Sequence, residues 1–365
     1  MAGARYRTMR DLDWTLLVLT AFICVLGIMQ IYSATHNTIW EDAWWKQIIY
    51  VVAGAVVMYA VAKIDYQALL AQVPIFYILS IASLLLTFVI GRQVFGSRRW
   101  IPLVGGFHLQ VSEFVKLVII LLIARYITDI RKDRLDVIDL LKLGGLVGVP
   151  MLLVMRQPDL GTSLTYVPAL VVGVFLAGLR WQYMVAIALI FLMVLPIGWY
   201  FLKDYQKARL VTFMDPDEDP RGSGYQVIQS RIAVGNGGIW GLGVTQGTQT
   251  QLRFLPVPHT DFIFSAFAEE HGFVGVLVGL GLYLMLILQI VQNAQSAVDR
   301  SGMYICMGAA AMLLFHVLVN VGMVVGRMPV AGIPLPLMSA GGSNTLSTFM
   351  LLGLVHSVRL RRLTN

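Results

Sequence analysis

Asp261 is the residue around which the sequence gathers most chemistry: it stands in LPVPHTDFIFSAFAEEHGFVG, with His259 and Thr260 before it and an apolar segment after it. A carboxylate there has two roles open to it. It caps the helix that follows, or it takes a proton from an attacking hydroxyl. Glu113 and Lys116, in HLQVSEFVKLVIILLIARYI, are three residues apart and so share one helix face as an ion pair, which either orients that helix or serves a site. Arg98 and Arg99 precede Trp100 in GRQVFGSRRWIP. Two guanidiniums suit a bidentate grip on a diphosphate, while Trp100 reads as an interfacial anchor. Lys207 and Arg209, in DYQKARLVTF, add two cations that a solvated loop face explains nearly as well. Asp159, in RQPDLGTSL, fits a helix cap. Ser339 lies in the Pro/Gly-interrupted PVAGIPLPLMSAGGSN, and irregular backbone at membrane depth is tolerated only where protein buries it or it lines a cavity. One carboxylate and several cations beside an apolar bundle suit sugar transfer from a polyprenyl diphosphate. The acceptor hydroxyl needs a base, and the departing diphosphate needs positive charge from Arg, Lys or a metal. A lipid flippase or transporter would want the same buried polar groups, and these residues alone leave both readings open.

The elements that must position these groups follow from composition. The chain has 365 residues, 58% hydrophobic and 13% charged, against about 45–50% and about 25% in ordinary globular chains. A mean hydropathy of +0.75 over 40.5 kDa excludes a typical soluble enzyme. Apolar segments long enough to span a bilayer fall near 13–34, 46–63, 68–91, 109–129, 137–155, 160–178, 181–202, 262–293, 302–326 and 344–359. The expected fold is therefore an all-α polytopic membrane protein of about ten transmembrane helices. Counting basic residues in short loops gives fourteen on the side of both termini and six on the other, so both termini are expected in the cytoplasm. That orientation puts a large loop between spans seven and eight, about 203–261, outside the cytoplasm together with the shorter loop 92–108. Within the large loop, YQVIQSRIA (225–233) has apolar positions at helical spacing, as an amphipathic helix lying on the outer membrane surface would. A helix unbroken from 262 to 293 would be about 48 Å long, more than a hydrocarbon core of about 30 Å needs. A break is therefore expected at Gly272.

Other patterns carry less. The glycines of GNGGIWGLGV (235–244) follow no strand and open no crossover unit, so a dinucleotide site does not fit. DPDEDPRG (215–222) lacks calcium-loop spacing and the distal Glu. Cys24 and Cys306 both sit in apolar runs and read as buried thiols, not a disulfide. The net charge of +7 comes without a Lys/Arg run interleaved with aromatics, so no nucleic-acid partner is expected. The basic N-terminus precedes a long apolar stretch without a cleavage site and reads as the flank of a first span. No repeat or low-complexity tract divides the chain, so residues 1–365 are expected to form one membrane domain.

Six stretches carry a family resemblance: DWTLLVLTAFICVLGIMQIYSAT, GSRRWIPLVGGFHLQVSEFVKL, RQPDLGTSL, GYQVIQSRIAVGNGGIWGLGV, PHTDFIFSAFAEEHGFVG and GIPLPLMSAGGSN. In this order, over most of the chain, they resemble the shape, elongation, division and sporulation (SEDS) family. The Asp13–Trp14 start and the GIPLP segment are more similar to its elongation branch than to its division branch. The resemblance implies a peptidoglycan glycosyltransferase in the bacterial cytoplasmic membrane that polymerises lipid II into glycan strands during cell elongation. It implies a class B penicillin-binding protein, a transpeptidase, as partner. The family's essential aspartate falls on Asp261, the implied general base, the Glu and Lys of its SEFxK motif fall on Glu113 and Lys116, and its arginine before Trp falls on Arg99. A divalent cation, magnesium or manganese, is implied without a legible ligand set. The alternatives are a lipid II flippase and a non-catalytic scaffold for the penicillin-binding protein.

Overall fold

The computed structural model describes residues 12–94, 97–102, 108–130, 135–183, 204–216 and 223–362, with scattered positions of 185–200. The chain runs through α1 (Trp14–Thr35), α2 (Ala43–Lys63), α3 (Tyr66–Ala71) and α4 (Val73–Ile90), then strands β1 (Arg92–Val94), β2 (Ser97–Pro102) and β3 (His108–Gln110). Next come α5 (Val111–Asp129), α6 (Val137–Arg156), α7 (Leu160–Leu164), α8 (Val167–Leu176), α9 (Asp204–Met214), α10 (Ser223–Asn236) and α11 (Thr248–Gln251). The last three helices are α12 (Ile263–Gln295), α13 (Arg300–Val324) and α14 (Gly342–Arg361).

Six of the described helices are long and apolar enough to cross a membrane: α1, α2, α4, α6, α12 and α13. They make this a multi-pass membrane protein. The segment expected at 160–178 is divided into α7 and α8, because Pro168 has no N–H to offer the Leu164 carbonyl. The segment expected at 181–202 lies largely outside the described residues.

An entirely helical chain was expected, and here the structure differs. The segment after α4 forms a three-stranded antiparallel sheet with β2 in the middle, pairing Gln93 with Arg98 and Trp100 with Gln110. Strand β3 runs directly into α5, so the sheet fixes where Arg99 stands relative to the start of the Glu113–Lys116 helix. That helix is the centre of the bundle: α5 is buried along most of its length and packs against α4, α8, α13 and α14.

The predicted break in α12 is real. Gly272 has φ 63° and ψ −167°, which interrupts the helix and strands the carbonyls of Glu269 and Glu270 and the amides of Phe273 and Val274. The glycine-rich run satisfies all four: Leu242 and Gly243 donate to the two carbonyls at 3.1 and 3.0 Å, and Gly238 and Ile239 accept from the two amides at 2.9 and 3.1 Å. The Glu269 carboxylate in turn accepts from the backbone of Gln249 (2.7 Å) and Thr250 (3.2 Å), holding α11. Glu270 accepts from Gln30 at 3.2 Å and from Ser33, tying the loop to α1. The helix expected at 225–233 is α10, but its Val227, Ser230 and Ala233 face is buried against protein. Ser230 Oγ lies 2.8 Å from Ser265 Oγ and donates to the Val324 carbonyl at 2.7 Å, polar contacts that a lipid surface could not supply.

At the other end of the bundle, buried Asp13 caps α1 and accepts from Gln289 and Asn293, each at 2.8 Å, while Arg359 pairs with it at 3.0 Å. The start of α1, the end of α12 and the end of α14 are thus held together by one carboxylate. Cys24 and Cys306 are free and buried.

Candidate active site

Asp261 occupies the turn before α12 without capping it: the cap position is Phe262, and no side chain bonds the first turn. The Asp261 carbonyl accepts from Asn320 Nδ2 at 2.9 Å. Its carboxylate faces Gly332, which has φ +66°; a Cβ built there would stand 3.5 Å from Asp261 Oδ2 and 4.0 Å from an Arg209 guanidinium nitrogen. Glycine therefore leaves room between the Asp261 carboxylate and the cation of α9. Burial pushes the Asp261 carboxyl above the ordinary carboxylate range; the charges of Arg99 and Arg209 pull it back, and Asp159 adds to the rise. The result is a half-buried carboxylate with a raised proton affinity, as a general base needs.

Arg99 reaches the site from β2. One terminal nitrogen pairs with Asp159 Oδ1 at 3.1 Å, and its Nε is buried with no protein partner. Asp159 also accepts from Gln110 Nε2 (2.7 Å), from the Thr162 amide (3.2 Å) and from the Thr162 hydroxyl (2.9 Å). It is thus both the cap of α7 and the anchor of the arginine, and it has little acceptor capacity left for a ligand. Arg98 lies on the same strand, and its side chain is outside the described residues. On α9, Arg209 is exposed and Lys207 is half-buried.

His259 is buried against Trp40, with ring centroids 5.4 Å apart, and burial lowers its pKa to about 4, so it is neutral at physiological pH. The Thr260 carbonyl accepts from Ser339 Oγ at 2.7 Å, and Ser339 Oγ also accepts from the Leu335 amide at 2.8 Å. Ser339 therefore fastens the turn that carries Asp261 to the 329–341 segment with both its donor and an acceptor engaged. The Thr260 hydroxyl turns back to the Val257 carbonyl at 3.5 Å.

Glu113 and Lys116 form the expected ion pair, at 2.7 Å, deep within the bundle. Ser347 donates to the same Glu113 oxygen at 3.2 Å. Lys116 Nζ stands 3.4 Å from His316 Nε2, and the groups described as its partners are Glu113 and His316, neither of which belongs to the Asp261 turn. Sequence reasoning missed His316, Asn320 and Gly332. The signal available was a His and an Asn four residues apart on one face of an otherwise apolar helix. No group of three His, Cys, Asp or Glu side chains placed to hold a metal occurs among the described residues. A divalent ion at this site would meet Asp261 and Asp159, and Asp159 is already paired with Arg99.

Comparison with known proteins agrees with this architecture. The chain is 37% identical over 353 residues to peptidoglycan glycosyltransferase MrdB of Escherichia coli, covering 96% of this chain and 94% of that one. It is 32% identical to peptidoglycan glycosyltransferase RodA of Treponema pallidum, covering 98% of this chain and 100% of that one. Among solved structures it is similar, at TM-score 0.83 and 34% identity over 97% of this chain and 99% of the other, to a chain described under structural coordination of polymerization and crosslinking by a peptidoglycan synthase complex. It is also similar to rod shape determining protein RodA of Thermus thermophilus, at TM-score 0.72 and 28% identity, covering 96% and 97% of the two chains. Residues 10–363 match the family model for FtsW, RodA and SpoVE. With nearly its whole length matched, and with the resemblance read from its motifs borne out, the chain belongs to the FtsW/RodA/SpoVE cell cycle protein family.

Proposed function

We propose that this chain is a peptidoglycan glycosyltransferase that polymerises lipid II into glycan strands on the outer face of the bacterial cytoplasmic membrane, as part of cell elongation. The observation that carries the reading is the half-buried Asp261 carboxylate, which shares the surroundings of Gly332 with the Arg209 guanidinium and feels the charge of Arg99. The relatives named above as peptidoglycan glycosyltransferases support the same activity.

In this mechanism Asp261 takes the proton of the acceptor sugar hydroxyl as its oxygen bonds the anomeric carbon of the donor. The bond from that carbon to the diphosphate breaks, and the electron pair leaves on the diphosphate oxygen. Arg99, Arg209 and Lys207 stabilise that departing charge, with Arg99 held in place by Asp159. Arg98 contributes to the same positive rim. His259, Thr260 and Ser339 hold the turn that carries the base, and Glu113 with Lys116 supports it from within the bundle.

The proposed topology is one membrane domain over 1–365, with ten spans, both termini cytoplasmic, and the 203–261 loop outside between spans seven and eight. A class B penicillin-binding protein is the proposed partner, consistent with the likeness to a chain of a peptidoglycan synthase complex. The test is to reconstitute the purified chain with that transpeptidase in vesicles bearing fluorescent lipid II on the outer leaflet only. Glycan polymer is the expected product. Movement of intact lipid II between leaflets without polymer would replace this reading with the transporter.

A further inference from the structure

Two polar residues of α13, His316 and Asn320, link the buried ion pair to the segment beside Asp261. Asn320 is fully buried, and its Nδ2 donates twice, to the Asp261 carbonyl at 2.9 Å and to the Ile333 carbonyl at 2.8 Å. One turn earlier, His316 bonds the Pro334 carbonyl through Nδ1 at 3.1 Å and meets Lys116 Nζ with Nε2 at 3.4 Å. A carbonyl can only accept and an ammonium can only donate, so this imidazole is neutral with its proton on Nδ1. Two consecutive carbonyls, 333 and 334, are therefore gripped by one helix face, and the residue just before them is Gly332, which lies against the Asp261 carboxylate. The far end of the chain of contacts is Lys116, fixed by Glu113 at 2.7 Å.

We propose that His316 and Asn320 are positioning residues: they form a clamp through which the buried Glu113–Lys116 pair sets the place of Asp261 and of the Gly332 floor beneath its carboxylate. The proposal rests on the glycosyltransferase reading and deepens it by giving the ion pair an indirect role. It accounts for a costly buried pair that reaches His316 and not the base. A base displaced by about 1 Å costs about a hundredfold in rate, so the clamp acts on kcat and not on capture of the lipid-linked substrate.

The experiment measures glycan polymerisation by the full-length protein with its transpeptidase partner, using lipid II as probe, with unfolding temperature in detergent followed for every variant. His316→Leu and Asn320→Leu are each expected to lower kcat about a hundredfold while KM stays within about twofold. His316→Gln, whose amide can both donate to Pro334 and accept from Lys116, is expected to recover most of that loss. Lys116→Met combined with His316→Leu is expected to be no slower than Lys116→Met alone, since both cut one path. Should the leucine variants fail to fold, Asn320→Gln keeps the amide but lengthens its reach; it is expected to lower kcat at an unchanged unfolding temperature. Wild-type kcat in folded variants, or losses that multiply in the double variant, overturns the clamp while leaving the glycosyltransferase reading intact. Absence of polymer from the wild-type chain overturns both.

Discussion

Asp261 is chemically useful because of what surrounds it. Burial raises its proton affinity, and the cations that would receive a departing diphosphate limit that rise. The sign of a pH effect follows. As the proposed base, Asp261 must be ionised, so the rate is expected to fall as pH drops through its raised pKa. Arg209→Met removes a charge that lowers this pKa, so the acid limb of the kcat profile is expected to move to higher pH; a limb that stays or moves down would remove Arg209 from the base's surroundings. His259, whose pKa burial lowers to about 4, is neutral at physiological pH. Much of this was legible in the sequence because charge is scarce: Asp261, Arg99, Glu113 and Lys116 stand out against apolar neighbours. His316 and Asn320 were not, because uncharged polar residues inside an apolar helix are inconspicuous and their partners are backbone carbonyls far along the chain. Asp159 looked like a cap and is one, but sequence could not say that the same carboxylate also holds Arg99.

Among elements, the broken α12 decides how the site is presented. Its first segment begins beside Asp261, and its break at Gly272 admits the 237–243 loop, which takes over the stranded backbone groups. The excess of helix length over bilayer thickness made the break predictable. The mate of the break was not, because the glycine run reads in sequence only as a loop. Gly272→Ala places a Cβ 2.2 Å from the Gly241 nitrogen and forces a backbone region essentially reserved for glycine. It is expected to cost about 1–3 kcal/mol, read as a lowered unfolding temperature in detergent; an unchanged temperature would mean the break is not enforced there. The small sheet escaped sequence reading for a related reason. Its strands are three to six residues long and lie among glycines and charges, too short for an alternating pattern to register.

For the whole molecule, the composition that first excluded a soluble enzyme also explains the division of labour. Large apolar side chains are exposed along α1, α2, α4 and α6, while α5, α13 and α14 are largely buried and carry Glu113, Lys116, His316, Asn320 and Ser347. The mostly helical membrane architecture and the family were readable from sequence, since membrane spans and short motifs are local. The sheet, the clamp and the loop that heals α12 depend on contacts between distant segments. The account's central claim is that Asp261 is the base of a glycosyl transfer. The most direct measurement is the rate of glycan polymer formation from lipid II by Asp261→Asn, purified with its transpeptidase partner and verified as folded and partner-bound. The account predicts polymerisation reduced to background, because the amide cannot accept the hydroxyl proton as a carboxylate does; polymerisation at the wild-type rate would contradict it.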